Sequence, residues 1–246
     1  MRSAAGLLKG SRRLLVFTGA GVSAESGVPT FRQALTGLWA RFRPEQLATP
    51  AAFEANPRLV WEWYAWRQQV VARAQPNPAH FAIAALAGPI PDLTLVTQNV
   101  DGLHQRAGSQ HVLELHGNLF RVRCSRENVV VPVWEHRDEA TPLCPGCGGR
   151  LRPDVVWFGE ALPAAEFEAA QLAAGHCDLC LTVGTSAVVY PAAAIPEMVL
   201  ERGVPLIEVN PEPTSLTSRA TVSLRGPAGK ILPVLLALTW PDKPGD

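Results

Sequence analysis

The segment GAGVSAESGVPTFR, residues 19–32, directly follows the apolar run Leu14–Phe17. A buried strand that runs into a glycine-rich turn and a helix is typical of dinucleotide-binding loops, because a helix N-terminus attracts phosphate groups. We expect Gly19 and Gly21 to allow positive φ angles and a close approach of the backbone to a ligand. The order of residues differs from a plain GxGxxG loop, and a generic dehydrogenase has no reason to carry the continuation Val28–Arg32.

The rest of the chain alternates between two patterns. Strand-like apolar runs cover 13–17, 93–97, 179–184 and 205–209, and alanine-rich helical stretches cover 79–87, 163–174 and 191–202. This alternation predicts an α/β fold, a Rossmann-like, doubly wound parallel sheet. Cofactors bind such sheets beyond the carboxyl ends of the strands, where the glycine turn, Gln98 and Gly184 would lie.

Composition excludes several classes of protein. The 246 residues are 47% hydrophobic, so the chain can bury a substantial core. With 22 basic and 22 acidic residues the formal net charge is zero, so we expect no nucleic-acid partner. The sequence has no membrane-spanning run and no signal peptide, and we expect no membrane partner. Five cysteines, an odd number, favour thiols or a metal in a reducing compartment, and the cytoplasm is the expected location.

Two further motifs make the glycine segment specific. TQNVDGLH at 97–104 and LHGN at 115–118 each follow a short apolar stretch. Together with residues 19–32 they closely resemble the sirtuins, the NAD-dependent protein lysine deacylases. Gly-Thr-Ser at 184–186 and Asn-Pro-Glu at 210–212 extend the resemblance over nearly the whole chain. The resemblance implies NAD as cofactor, acyl-lysine proteins or peptides as substrates, and nicotinamide, free lysine and O-acyl-ADP-ribose as products.

The resemblance also implies two lobes within one catalytic domain, 1–246. The large Rossmann-like lobe would comprise 1–35, 75–120 and 154–246. The small inserted lobe would combine a helical part, 36–74, with a zinc-ribbon-like part, 121–153. Residues 57–74 read as a helix of the small lobe, and NAD and the peptide would bind between the lobes.

His116 matches the catalytic histidine of the family. Neutral imidazole is available as a base near neutral pH, whereas a histidine before a glycine at a strand end is more often structural when taken alone. We interpret His104 as structural. Gln98, Asn99 and Asp101 would line the nicotinamide and ribose pocket and share in catalysis, although ordinary loop capping is the commoner role of Asn and Asp.

The resemblance assigns further residues to NAD. Phe31 would shield the reacting ribose carbon, Arg32 would hold the phosphate side, and Thr185 and Ser186 would donate to phosphate oxygens. The complete set of expected cofactor contacts is Gly19, Ala20, Gly21, Glu25, Thr30, Phe31, Arg32, Gln98, Asn99, Asp101, Gly184, Thr185, Ser186, Asn210, Glu212 and Ala228.

The substrate peptide is expected between two segments. Residues 155–160 resemble the family strand that pairs with the peptide, and residues 188–191 resemble the loop on its other side. An extended peptide would add between them as a strand. A buried core strand is the alternative for the first segment, although Gly159 weakens it. The expected peptide contacts are Val156, Trp157, Phe158, Gly159, Glu160, Val189 and Tyr190.

Tyr64 and Arg67 stand three residues apart on one face of the predicted helix. From spacing alone such a pair usually lies on the surface. Tyr-x-x-Arg at this location resembles the sirtuin branch that removes malonyl and succinyl groups. A guanidinium and a phenol could bind the acyl carboxylate, so we expect these two acyl groups as substrates, with acetyl as an additional one.

A structural zinc site is expected but incomplete. Cys144 and Cys147 have knuckle spacing, and the family provides a second CxxC pair. Here Cys124 is followed by Glu127 where the second cysteine is expected. Glu127 or His136 could be the fourth ligand, and loss of zinc is the alternative. A second CxxC, Cys177–Cys180, runs into a strand, so we interpret its thiols as buried and redox-inactive.

Two other functions stay open. An ADP-ribosyltransferase or NAD hydrolase would share the cofactor pocket and His116 but would need neither Tyr64 nor Arg67. A non-catalytic NAD-binding module would not need His116. The sequence leaves the protein targets and the oligomeric state open, and a monomer is compatible with it.

Overall fold

A parallel β-sheet forms the centre of the structure, a computed structural model that describes residues 1–29, 41–133 and 141–241. Its strands are β1 Arg13–Thr18, β2 Asp92–Thr97, β3 Val112–Glu114, β6 Leu179–Val183, β7 Leu206–Asn210 and β8 Val222–Arg225. The strand order is β3-β2-β1-β6-β7-β8, and every neighbouring pair is parallel. The order reverses between β1 and β6, which is where a doubly wound sheet opens a crevice for a ligand.

Helices cover both faces of this sheet. They are α1 Arg2–Gly10, α2 Ala20–Ala24, α3 Pro50–Ala55, α4 Pro57–Arg73, α5 Pro78–Ala85, α6 Leu103–Arg106, α7 Ala164–His176, α8 Ala194–Glu201 and α9 Ala228–Thr239, with a 3-10 turn at Pro44–Gln46. Side chains alternate along β1, so Leu14 and Val16 pack in one core cluster with α1, α5 and α9. Leu15 and Phe17 pack in a second cluster with α7 and α8. The predicted doubly wound α/β fold is therefore confirmed.

A third core cluster lies away from the sheet. It joins α3 and α4 to the antiparallel pair β4 Gly117–Cys124 and β5 Leu151–Val155. Asn56 caps α4, accepting from the backbone N of Leu59 at 3.1 Å, and Pro57 occupies the first turn. The indole Nε1 of Trp61 donates to the carbonyl of Leu151 at 2.9 Å. The two predicted parts of the small lobe thus share one core, and the exact lobe boundaries stay our proposal.

The predicted strand over residues 155–160 is wrong beyond its first residue. β5 ends at Val155, and a turn follows in which the backbone N of Glu160 donates to the carbonyl of Trp157 at 3.0 Å. Gly159 adopts a φ of +88°, which a strand does not allow. Among the described residues, no helix has the length and apolar character needed to cross a bilayer.

Candidate active site

A cleft of about 540 Å³ opens at the carboxyl ends of β1, β2 and β6 and extends to the wall formed by α4 and the segment after β5. Gly19 follows β1, Gln98 follows β2 and Gly184 follows β6, so the sheet itself brings these three loops together. The predicted cofactor and catalytic residues that line the cleft are Gly19, Ala20, Gly21, Gln98, Asn99, Asp101, His116, Gly184, Thr185, Ser186 and Asn210.

The glycine turn owes its glycines to close packing, which corrects the expectation of positive φ angles. Gly19 has φ −133° and ψ −172°, and Gly21 lies within the helix α2. A Cβ at Gly21 would lie 2.7 Å from the carbonyl oxygen of Gly184, and a Cβ at Gly19 would lie 2.8 Å from the Cβ of Thr185. The turn after β6 therefore packs directly on the turn after β1, and any side chain at Gly21 would push them apart.

The amides after β2 hold the floor of the cleft. The Asn99 Nδ2 donates to the carbonyl of Gly19 at 3.0 Å and to the Oγ of Ser23 at 3.1 Å. The Gln98 Nε2 donates to the Oγ1 of Thr185 at 2.9 Å. These bonds tie three strand ends to one another, so the loop residues are fixed before a ligand arrives.

Asp101 is buried at the same edge of the sheet. Its Oδ1 accepts from the backbone N of Leu103 at 2.9 Å, at the start of α6. Burial raises the pKa of Asp101, and the hydrogen bonds from Leu103 and Ser23 and the charge of Arg67 oppose that rise. The carboxylate thus lies within the electrostatic reach of Arg67.

His116 lies in the cleft with its proton position defined. Its Nδ1 is 2.9 Å from the carbonyl oxygen of Gln98, and a carbonyl can only accept, so Nδ1 carries the hydrogen. Nε2 is then left with a lone pair. Burial lowers the pKa of His116, partly countered by the bond to Gln98, so the ring is neutral near pH 7.

The turn that carries His116 is braced on both sides. The backbone carbonyl of His116 accepts from the N of Val156 at 2.9 Å. Gly117 has a φ of +79°, and Arg121 pairs with Asp154 through its Nε at 2.8 Å. The imidazole is therefore attached to β4 and β5 as well as to the sheet.

Helix α4 brings Tyr64 and Arg67 to the wall of the cleft. The Arg67 Cζ lies 5.0 Å from the centroid of Trp63 and 5.7 Å from that of Tyr64, so aromatic faces support the guanidinium. Burial raises the pKa of Tyr64, which keeps the phenol neutral. Burial lowers the pKa of Arg67, and Tyr64 and Asp101 counter this effect.

Two loops form the rim of the cleft. Val156–Glu160 and Val188–Pro191 both contribute to its lining, and the side chains of Phe158, Val189 and Tyr190 are exposed to solvent. The predicted peptide contacts that line the cleft are Val156, Trp157, Phe158, Gly159, Glu160, Val189 and Tyr190. Trp157 differs from the rest of this set because it is almost completely buried.

Some predicted cofactor residues lie elsewhere or are not described. Glu25 is exposed, and its Oε1 accepts from the backbone N of Gly229 at 2.9 Å. Ala228 is buried at the start of α9, and the Glu212 carbonyl accepts from the Nδ2 of Asn210 at 2.7 Å. These three residues are not part of the cleft lining. The predicted contacts Thr30, Phe31 and Arg32 lie outside the described residues.

Several cleft residues were missed by the sequence analysis. Ser23 lines the cleft and accepts from Asn99, and Val71 and Leu119 add apolar surface to the lining. Val71 lies four residues after Arg67 in α4, so helical spacing could have identified it. Ser23 lies within the quoted glycine segment, where its side chain gave no distinguishing signal.

Residues 19–191 match a family described as Sir2. The chain belongs to the Sir2 family. It is 55% identical to NAD-dependent protein deacylase 1 of Pseudomonas aeruginosa, over 98% of this chain and 100% of that protein. It is 53% identical to NAD-dependent protein deacylase 2 of Pyrobaculum aerophilum, over 94% of this chain and 93% of that protein.

Solved Sir2 structures share the fold of this Sir2-family chain. A complex of a Sir2 homolog with NAD is 47% identical, with a TM-score of 0.90, covering 97% of this chain and 93% of that one. Sir2Af2 bound to a myristoylated histone peptide is 35% identical, with a TM-score of 0.76, covering 98% of this chain and 96% of that one. These similarities confirm the predicted family, the predicted cofactor NAD and the predicted class of NAD-dependent protein deacylase.

The zinc site expected of this Sir2-family chain has four converging donors. The ligand atoms of Cys124, Glu127, Cys144 and Cys147 all lie within 4.8 Å of one another. Backbone amides donate to two of the thiols, from Glu127 to Cys124 at 3.5 Å and from Gly149 to Cys147 at 3.4 Å. Thiolates and a carboxylate are ligands that zinc accepts, so these residues fit the ion. His136, the other candidate, lies outside the described residues.

The CxxC pair Cys177 and Cys180 lies in a different environment from the zinc-site cysteines. Cys180 is completely buried in β6, and Cys177 is nearly so at the end of α7. Burial raises the pKa of both thiols, well above the ordinary value for Cys180. Protonated, buried thiols are poor nucleophiles, which agrees with the prediction that this pair has no redox role.

Proposed function

We propose that this protein is an NAD-dependent protein lysine deacylase that removes succinyl and malonyl groups, and also acetyl groups, from lysine side chains. The observation that carries the acyl assignment is the Tyr64–Arg67 pair on the wall of the cleft. The cleft lining contains both a neutral histidine and a cationic guanidinium. An acyl-lysine that ends in a carboxylate has a reacting carbonyl and an anionic end to match these two groups.

The strand-end loops would hold NAD. When bound, NAD supplies an ADP-ribosyl group that accepts the acyl group and releases nicotinamide. The packed turns at Gly19–Gly21 and Gly184–Ser186 line the cleft. The backbone amides of Gly19, Gly21 and Gly184 already donate within the protein, so the hydroxyl groups of Thr185 and Ser186 would be the donors to phosphates. Asn99 and Asp101 are buried and already oriented, as groups that bind ribose hydroxyls or a carboxamide must be. Contacts from Glu25, Glu212, Ala228 and Thr30–Arg32 stay predictions.

His116 would act as the general base. Its Nδ1–H is committed to the Gln98 carbonyl, so Nε2 is the atom that can take a proton from a hydroxyl group of the bound substrates. The lowered pKa of His116 keeps this base unprotonated at neutral pH. The products would be nicotinamide, free lysine and O-acyl-ADP-ribose.

Arg67 would bind the carboxylate of the acyl group. The side chain lines the cleft and is backed by aromatic rings, which limits its freedom to move away. A hydrogen bond to a charged group contributes about 1.5–3 kcal/mol net, which corresponds to roughly 10- to 150-fold in rate constant. Acetyl groups lack the carboxylate and would not gain this energy. Arg67 would therefore determine the preference for acidic acyl groups over acetyl, and not the ability to catalyse deacylation.

The rim loops would receive the peptide. Val156–Glu160 and Val188–Pro191 both contribute to the cleft and expose apolar side chains. Binding through the backbone between two loops gives affinity with little dependence on the peptide sequence. Cytoplasmic location also stays a prediction, and the five free cysteines are consistent with it.

ADP-ribosyl transfer and NAD hydrolysis are the alternative reactions. They would use the same cofactor loops and His116, but neither reaction requires an arginine at the position of Arg67 in the cleft wall. A long-chain acyl group is another alternative, because the related Sir2Af2 binds a myristoylated peptide. The apolar residues Val71 and Leu119 line the same cleft, so the test includes a myristoyl-lysine peptide.

The experiment compares kcat/KM for succinyl-, malonyl-, acetyl- and myristoyl-lysine in one peptide sequence, with Arg67→Met as the test variant. The matched control is Arg73→Met, which removes an exposed arginine from the last turn of the same helix. We expect Arg67→Met to lower the succinyl and malonyl values roughly 10- to 150-fold and to leave acetyl nearly unchanged. An equal loss for all four acyl groups would overturn the acyl assignment.

A further inference from the structure

The hydroxyl group of Tyr64 has a defined hydrogen-bonding role. Tyr64 is only 1% exposed but contributes to the cleft wall. The Nε1 of Trp157 lies 2.9 Å from the Tyr64 oxygen. An indole N–H can only donate, so the phenol oxygen must accept in this pair.

Arg67 lies beside the same ring. Its Cζ is 5.7 Å from the centroid of Tyr64, and a guanidinium also can only donate. The phenol hydrogen therefore cannot point toward the Trp157 N–H and finds no acceptor on the guanidinium. The remaining direction for the O–H is away from Trp157 and Arg67.

The indole that sets this arrangement is itself held in place. The Arg152 Cζ lies 3.3 Å from the centroid of the Trp157 ring, and Phe53 packs against it with a centroid distance of 5.3 Å. Glu160 accepts from the Trp157 backbone N at 2.8 Å and from the Arg152 Nη2 at 2.8 Å. Trp157 is 2% exposed, so neither its ring nor its backbone is free to turn.

We propose that Trp157 is a positioning residue that determines acyl specificity: its indole N–H reserves the hydroxyl of Tyr64 as a hydrogen-bond donor to the carboxylate of an acidic acyl group. This inference rests on the proposed function. Arg67 supplies the charge, and Tyr64 supplies a directed second bond. Trp157 excludes the orientation in which the phenol hydrogen would point into the core.

The effect is limited to acyl groups that end in an acceptor. A succinyl or malonyl carboxylate can accept from both Arg67 and Tyr64, whereas the methyl group of acetyl accepts from neither. The phenol must keep its proton to donate, and the burial of Tyr64 favours the neutral form. Loss of the Trp157 indole N–H would therefore weaken acidic substrates more than acetyl-lysine, and lower the succinyl-to-acetyl ratio of kcat/KM.

The first experiment measures kcat/KM for succinyl-lysine and acetyl-lysine peptides with Trp157→Phe, which keeps an aromatic ring and removes the N–H. The matched control is Trp61→Phe. Trp61 is buried in the same core cluster, and its indole donates to the backbone carbonyl of Leu151 at 2.9 Å. We expect the succinyl-to-acetyl ratio to fall roughly 3- to 10-fold for Trp157→Phe, from the loss of one neutral hydrogen bond, and to stay unchanged for Trp61→Phe.

A double-variant cycle tests whether Trp157 acts through Tyr64. Tyr64→Phe should lower the same ratio, and adding Trp157→Phe to it should lower the ratio no further. Independent losses that multiply in the double variant would overturn the proposal. So would a Trp157→Phe variant that loses acetyl and succinyl activity equally, because that is the signature of a purely structural residue.

The hydrogen bond can also be measured without any substrate. In ¹⁵N–¹H spectra, the Trp157 indole resonance can be assigned in the wild-type protein from nuclear Overhauser effects to the adjacent Phe53 ring, and Tyr64→Phe should shift it upfield. An unmoved resonance would overturn the proposal even if Trp157→Phe did not fold. Failure of the proposed function is distinct: Arg67→Met would then leave the succinyl-to-acetyl ratio unchanged while the indole resonance still shifts with Tyr64→Phe.

Discussion

Acidification is expected to destabilise this protein through two buried histidines. His80 and His104 lie with ring centroids 4.9 Å apart behind the glycine turn, and both are almost completely buried. The His80 Nδ1 accepts from the backbone N of Asn77 at 3.2 Å, and the His104 Nε2 is 3.0 Å from the Oγ1 of Thr18. Burial lowers the pKa of His80 to about 4, and burial together with His80 lowers the pKa of His104 to about 3.

The sign and size of the effect follow from these values. Above about pH 6.5 the rings are neutral in both the folded and the unfolded chain, so the stabilisation is fully present. Below that pH the two rings bind protons in the unfolded chain but stay neutral in the folded chain. The free energy of unfolding therefore falls until the pH reaches the pKa values of the folded chain. Between about pH 7.5 and about pH 5.0 each ring should remove about 2 kcal/mol, or about 4 kcal/mol for the pair. That is a large part of the ~5–15 kcal/mol that holds a typical domain folded.

Urea unfolding at these two pH values measures the difference directly. His104→Gln should make the protein about 2 kcal/mol less sensitive to pH, whatever it does to stability at pH 7.5. His111→Asn is the matched control, because His111 is exposed and its φ of 49° suits asparagine. A pH sensitivity that is identical in wild type and His104→Gln would show that the buried imidazole of His104 does not cause the acid destabilisation.

Three further outcomes are expected. Gly21→Ala should cost about 1–3 kcal/mol of stability and weaken NAD binding, because its Cβ would lie 2.7 Å from Gly184; calorimetry would show this against Gly175→Ala, whose Cβ meets nothing within 4 Å. In the pH profile of kcat/KM, the acid limb should lie below about 6.5, since burial lowers the pKa of His116; a limb above 7 would contradict it. Glu127→Cys should slow zinc release to a chelator and Glu127→Ala should speed it, and equal rates in all three proteins would exclude Glu127 as a ligand.

The fold could be predicted because its signals are local. The strands β1 and β6 are nearly continuous apolar runs, as parallel strands buried on both faces require. The order of glycine turn, Gln98 and Gly184 then followed from the rule that strand ends share one edge of the sheet. Tyr64 and Arg67 could be paired because both lie on one helix face.

Contacts between distant segments could not be predicted in the same way. Trp157 and Tyr64 are separated by 93 positions, and their hydrogen bond depends on how α4 packs against β5. Gly21 was correctly singled out, but the reason lies in Gly184, which packs on it from another strand end. Glu25 also had a local context, yet the N–H it meets belongs to Gly229, near the other end of the chain.

Product analysis of the wild-type protein distinguishes deacylation from the other reactions of NAD. Incubation with NAD and a succinyl-lysine peptide, followed by mass spectrometry, should give free lysine, nicotinamide and succinyl-ADP-ribose in equal amounts. Omission of NAD should abolish all three. Nicotinamide formed with free ADP-ribose or ADP-ribosylated peptide, and without free lysine, would contradict the deacylase assignment and favour NAD hydrolysis or ADP-ribosyl transfer.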